Sequence, residues 1–138
     1  MHFRLCAVLL LGLACAPAGA GPAQEAGLGQ LPNVAFPMPG RIASGRLAAA
    51  DMPALREAGV REVIDLSADE ETPHFDEAAA VRAAGIDYRN LPIRGAGDLT
   101  PENVRRFDAL LRAAGNSRTL VHCASGNRAG AMIALRAA

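Results

Sequence analysis

From Arg41 onward, short apolar runs rich in Val and Ile alternate with longer stretches whose apolar positions recur at helical spacing. Residues 42–47 are expected to form a first strand. Asp51 stands where it can cap a helix, with Pro53 in the first turn and Gly59 closing it. Residues 60–66 are β-branched and apolar enough for a buried strand. The same unit then repeats, with a helix over 73–84 stopped by Gly85, a strand over 86–93, and a helix over 101–114 capped by Thr100 and stopped by Gly115. Residues 118–122 predict a last short strand, and a helix begins at Ala129. Helices alternating with buried strands predict one α/β domain, a mostly parallel sheet with helices on both faces. Parallel strands deliver their C-terminal loops to a single edge, where open α/β sheets bind ligands. Residues 67–74, 94–99 and 123–128 should meet there.

The N-terminal part has a different pattern. Met1-His2-Phe3-Arg4 is a short basic start, residues 5–16 are continuously apolar, and Ala18-Gly19-Ala20 supplies small residues for cleavage. This predicts a signal peptide over 1–20, since a membrane-spanning helix needs roughly 20 apolar residues. Cys15 offers a lipid attachment point, but Gly12-Leu13-Ala14 puts glycine where a lipobox has leucine, so a membrane is an expected partner only for a lipidated form. Residues 21–39, rich in Gly, Pro and Gln, are expected to be a linker, and residues 40–138 the domain. The mature protein is then expected to be periplasmic or secreted.

Charge excludes one class of partner. The 138 residues hold 14 basic and 14 acidic side chains, every basic one is Arg, and no basic block exists, so nucleic acid is not an expected ligand. Cysteine usage narrows the chemistry further. Of Cys6, Cys15 and Cys123, the first two leave with the signal peptide. A lone Cys123 has no internal disulfide partner, which leaves a packed apolar residue, an intermolecular pair or a reactive thiol.

The run His122-Cys123-Ala124-Ser125-Gly126-Asn127-Arg128 favours the reactive thiol. A cysteine between a strand and a helix N-terminus meets converging backbone N–H groups and the positive helix end, which favour the thiolate and any oxyanion above it. Gly126 lets the backbone curl, and Arg128 carries a planar fork that holds two oxygens of a phosphate. His122 is placed to order the loop and favour the thiolate.

This run resembles the phosphate loop of cysteine-dependent protein phosphatases of the tyrosine and dual-specificity type. It is most similar to two bacterial branches, the phosphatase-like domain of β-lactamase-hydrolase-like proteins and the phosphatase domain fused to NAD kinases. Ser44-Gly45-Arg46, residues 58–66, Gly85-Ile86-Asp87-Tyr88 and Leu91-Pro92-Ile93 carry the resemblance upstream, so that it covers about residues 40–138. It implies that Cys123 attacks phosphorus to form a phosphocysteine, while Arg128 and the amides of Ala124, Ser125, Gly126 and Asn127 bind the phosphoryl oxygens. Such domains usually add further helices, and only ten residues follow Arg128, so a minimal or C-terminally short member of this type is expected. Two departures stand out. Four residues separate Cys123 from Arg128, one fewer than in most such phosphatases and matching many rhodaneses. Ala129 stands where a Ser or Thr hydroxyl usually eases departure of sulfur from phosphorus.

Asp98, in the loop after the strand over 86–93, is the candidate general acid, although an Asp just before Thr100-Pro101 also suits a helix start. Arg94 on that loop is a candidate for steering anions. Asp69-Glu70-Glu71 and His74 match no specific metal-ligand spacing and are expected to be a solvated acidic turn; no metal and no cofactor is expected. The expected function is phosphomonoester hydrolysis on a phosphorylated protein or small molecule. A rhodanese-like sulfurtransferase and a catalytically weak domain that binds phosphorylated ligands are the alternatives.

Overall fold

Each strand of the sheet alternates its side chains between two covers. In the computed structural model, which describes residues 25–138, the strands are β1 (Ala35–Met38), β2 (Arg41–Ser44), β3 (Glu62–Asp65), β4 (Asp87–Asn90) and β5 (Thr119–His122). They are ordered β1-β2-β5-β3-β4; β1 is antiparallel to β2, and all other neighbours are parallel. The period of two sends Ile42, Val63 and Leu120 to one face and Ala43, Ile64 and Val121 to the other. Helices α1 (Met52–Glu57) and α2 (Glu77–Ala83) cover the first face with Met52, Leu55 and Val81. Helices α3 (Pro101–Ala114) and α4 (Asn127–Ala137) cover the second with Phe107, Leu111, Met132 and Ile133. Each fully buried Leu, Ile or Phe contributes about 1.5–3 kcal/mol of burial, so both cores are needed to hold a sheet of four-residue strands. This is the expected α/β architecture.

The central place of β5 decides where the chemistry lies. It pairs with β2 on one side and β3 on the other, with His122 level with Ser44 and Asp65. Cys123 therefore leaves the sheet between the loops that follow β2 and β3.

Element ends depart from expectation where a side chain outweighs the periodicity. Asp51 does not cap the helix ahead of Pro53; its Oδ2 accepts from the Ala48 amide and closes a 3-10 turn over Ala49–Asp51. α2 starts at Glu77, not 73, because the Asp76 carboxylate accepts from the Ala79 amide, while Asp69–Glu71 forms its own 3-10 turn. The Thr100 hydroxyl accepts from the Asn103 amide as expected, and α3 spans the expected 101–114. α4 begins at Asn127, two residues before the expected start.

The largest correction concerns residues 21–39. From Leu28 onward this stretch is part of the domain and not a linker, for Leu28 and Leu31 are buried in the first core and Ala35–Met38 adds an edge strand. Its Gly and Pro content masks two anchoring leucines and a strand too short to show a period. The expected signal peptide over 1–20 lies outside the described residues. Among the described residues, no helix is long and apolar enough to cross a membrane.

Candidate active site

The turn after β5 is built on glycine. Gly126 has φ +88°, and a Cβ there would stand 3.3 Å from the carbonyl carbon of Ser44. An L side chain at this position would be strained by both conformation and contact. Gly45 is equally confined, since a Cβ would lie 3.0 Å from the Pro32 side chain and 3.3 Å from the Ala124 carbonyl. The Arg46 amide donates to that Ala124 carbonyl, and Asn33 Nδ2 donates to the Ser125 carbonyl at 2.9 Å. The segment expected to be a linker thus braces the loop.

Inside the curl, Cys123 is fully buried. Burial by itself pushes its thiol up, yet the amides of Ala129, Ser125, Arg128 and Gly126 more than reverse this and hold it below the ordinary cysteine range. The Gly126 N–H lies 3.1 Å from Sγ. These donors favour the thiolate and would favour an oxyanion lying above it; of the expected cradle residues, Ser125 and Gly126 supply such amides, while the Asn127 amide donates to Ser125 Oγ.

Arg128 is held in place by the loop after β3. Its Nη1 and Nη2 donate to Glu71 Oε1 and Oε2 at 2.8 and 2.7 Å, and Nη1 also donates to the Ile93 carbonyl at 2.7 Å. Of the five guanidinium N–H groups, those on Nε and the outer side of Nη2 are not used by Glu71 or the Ile93 carbonyl, and Cys123 lies near the guanidinium. Those N–H groups form one edge of the fork, the geometry that receives two oxygens of a phosphate. Cys123 lies close enough to add to the charge held on Arg128, after the larger effect of Glu71.

Glu71 is therefore not part of a solvated turn. The hydrogen bonds from Arg128 pull its carboxyl down to about 2, with the Ala68 amide assisting against burial. Charge complementarity across the shared sheet edge was the signal for this pair, but three adjacent acids offered no means of choosing Glu71. A group whose folded pKa is depressed stabilises the fold above its unfolded value and loses that contribution as pH falls through the folded one. Glu71→Gln should lower stability by about 1–2 kcal/mol near neutral pH. The difference from wild type should close between pH of about 4.5 and about 2 in urea-unfolding series.

The other expected residues fall less centrally. Asp98 ends a 3-10 turn over Ala96–Asp98; its carboxylate accepts from the Arg94 amide at 2.8 Å and its carbonyl from Asn103 Nδ2. It shares the edge with the loop, but no hydrogen bond joins it to residues 123–128 among the described residues. Arg94 pairs with Glu70 at 3.1 Å, both exposed. His122 is buried, and its Nε2 contacts Glu77 and Asp65. A hollow of about 370 Å³ is lined by Glu71, the partner of Arg128, and by Arg46, Leu47, Pro73, His74 and Phe75 among others.

The family model for the phosphatase-like domain of β-lactamase hydrolase-like proteins matches residues 38–138. Among proteins of curated function, none matches. A crystal structure of a DUF442 protein of Shewanella putrefaciens CN-32, assigned as a phosphatase, superposes with a TM-score of 0.73 at 29% identity, covering 80% of this chain and 74% of that one. A protein of Neisseria meningitidis z2491 with the same assignment gives 0.62 at 20% identity, over 70% of each chain. TpbA of P. aeruginosa gives 0.56 at 22% identity, over 75% of this chain and 62% of its own. The last two likenesses are of fold.

Proposed function

The chain belongs to the family of phosphatase-like domains of β-lactamase hydrolase-like proteins, and from that membership and the loop geometry we propose that it hydrolyses phosphomonoesters through a phosphocysteine. The observation that carries this reading is a fully buried cysteine whose thiolate is nevertheless favoured by loop amides, beside an arginine with one open edge. The Cys123 thiolate attacks phosphorus while the bond to the ester oxygen breaks. The Arg128 edge and the loop amides take the three equatorial oxygens, whose charge grows in the transition state. Asp98 gives its proton to the departing oxygen, after release from the Arg94 amide. Water then attacks phosphorus, the P–S bond breaks, and phosphate leaves with the thiolate restored. The substrate is a phosphorylated protein or small molecule whose organic part lies in the hollow beside Arg46 and Phe75. Residues 1–20 support action outside the cytoplasm, in the periplasm or as a secreted protein.

A second reading has two observations in its favour. Ala129 has no hydroxyl to ease departure of sulfur, and the Asp98 carboxylate is engaged within its own loop. Both suit a domain that binds phosphorylated ligands and turns them over slowly.

Purified protein offered an aryl phosphate should release phosphate, and offered thiosulfate with cyanide should form no thiocyanate. Asp98→Asn should lower kcat by about a hundredfold on esters with poor leaving groups and far less on good ones. Thiocyanate formation without phosphate release would replace this function with sulfur transfer. Vanadate binding with neither activity would establish the binding domain.

A further inference from the structure

One buried cluster is not used by the chemistry above. His122 Nε2 lies 2.5 Å from Glu77 Oε1 and 3.5 Å from Asp65 Oδ1, and all three side chains are more than nine-tenths buried. They come from three elements: the end of β5, the first residue of α2 and the end of β3. One ligand-type atom of each falls within 4.8 Å of the others.

The hydrogen bonding of this cluster is incomplete. Asp65 is well served, with Oδ1 accepting from the Ser67 amide at 2.7 Å and Oδ2 from the Tyr88 hydroxyl at 2.9 Å. Glu77 Oε2 and His122 Nδ1 have no partner although both are buried. A single imidazole thus faces two buried carboxylates, an arrangement that is costly unless further positive charge is supplied. A hollow of about 500 Å³, lined by Asp65, Asp69, His74, Asp76, Glu77 and Tyr88 among others, gives a cation an acidic route to the cluster.

We infer that Asp65, Glu77 and His122 form a binding site for a divalent transition-metal ion, with zinc the best fit to the donor set. One imidazole nitrogen and two carboxylate oxygens suit zinc better than calcium or magnesium, which take oxygen ligands. Zinc with ligands at about 2.0–2.2 Å in tetrahedral geometry holds them about 3.4 Å apart. The Nε2 to Oδ1 separation of 3.5 Å is close to that value, and Glu77, whose Oε2 has no partner among the described residues, stands against the same nitrogen. A water from the hollow completes the set. Coordination uses the Nε2 lone pair, so zinc takes the place of the hydrogen-bond contact between Nε2 and Glu77. Because His122 directly precedes Cys123, the ion would also fix the end of β5 from which the loop departs. The site stands independently of the phosphatase reading, since it does not use Sγ.

Zinc added to the metal-stripped full chain should bind one per chain by calorimetry against a competing chelator, and should raise the unfolding temperature. Glu77→Gln should weaken binding by about 10–100-fold or more, whereas Cys123→Ser should leave it unchanged. In nitrogen NMR of the intact wild-type chain, the His122 resonance that moves on zinc addition should be Nε2. That measurement stands even if Glu77→Gln fails to fold. Zinc binding lost in Cys123→Ser and kept in Glu77→Gln would move the metal to the thiolate and overturn the site. A His122 Nε2 signal unmoved by saturating zinc, or no zinc binding at all, would do the same.

Discussion

Replacing Cys123 with serine should lower kcat/KM on an aryl phosphate by about ten-thousand-fold or more, while vanadate or tungstate still binds. Sulfur and oxygen differ little in size, and the cradle does not depend on the sulfur. Its donors are backbone amides from Ser125 to Ala129, set by the positive φ of Gly126 and by the start of α4. What changes is the nucleophile. Those amides hold the thiol below its ordinary range and so favour the thiolate, but a serine hydroxyl starts so far above neutral pH that the same field leaves it protonated. The adjacent histidine does not stand ready as a base for it, since His122 Nε2 is committed to Glu77 and Asp65. Initial rates with purified variant and equilibrium dialysis with the oxyanion measure the two halves. Phosphate release at near wild-type rate by Cys123→Ser would remove the phosphocysteine from the mechanism.

Arg128→Lys should cost about 100–1000-fold in kcat/KM and weaken oxyanion binding, even though the positive charge is kept. The guanidinium has two jobs at once. One edge and the Nη1 end are taken by Glu71 and the Ile93 carbonyl, and the Nε–Nη2 edge is the one left for the anion in the proposed mechanism. A lysine ammonium offers three donors from one point and cannot bridge Glu71 and a phosphate with parallel hydrogen bonds. It would settle on Glu71, whose carboxylate is held at about 2 by the native pair and would compete for the new charge. Adding Glu71→Gln to Arg128→Lys should therefore recover part of the oxyanion affinity. Affinity unchanged by that second substitution would mean that Glu71 does not compete for the cation at residue 128.

Much of this was legible along the chain because it depends on local forces. The strand-and-helix alternation, the Thr100 cap and the stop at Gly115 each act within a few residues, and each is present in the fold. The same holds for Cys123, Gly126 and Arg128. A cysteine between a buried strand and a helix start meets amide donors whatever the rest of the sheet does, so the chemistry of that loop is written in seven consecutive residues. Element ends were less legible, because an aspartate can serve the turn before it or the helix after it: Asp51 accepts from the Ala48 amide behind it and Asp76 from the Ala79 amide ahead of it.

Only the tertiary structure decided what supports the loop. Glu71 is 57 residues from Arg128, Glu77 is 45 from His122, and Asn33 is 92 from Ser125. In each case the local sequence suits solvent as well as it suits a partner: an acidic turn, a glutamate in a first helical turn, an asparagine among prolines. What makes them partners is the insertion of β5 between β2 and β3, a pairing of residues 41–44 and 62–65 with 119–122. That order places the ends of the strands on one edge, where charge complementarity and unmet hydrogen bonds select among the side chains present. The candidate cysteine could be found from its neighbours in the chain; the residues that hold the adjacent arginine and histidine could be found only from their neighbours in space.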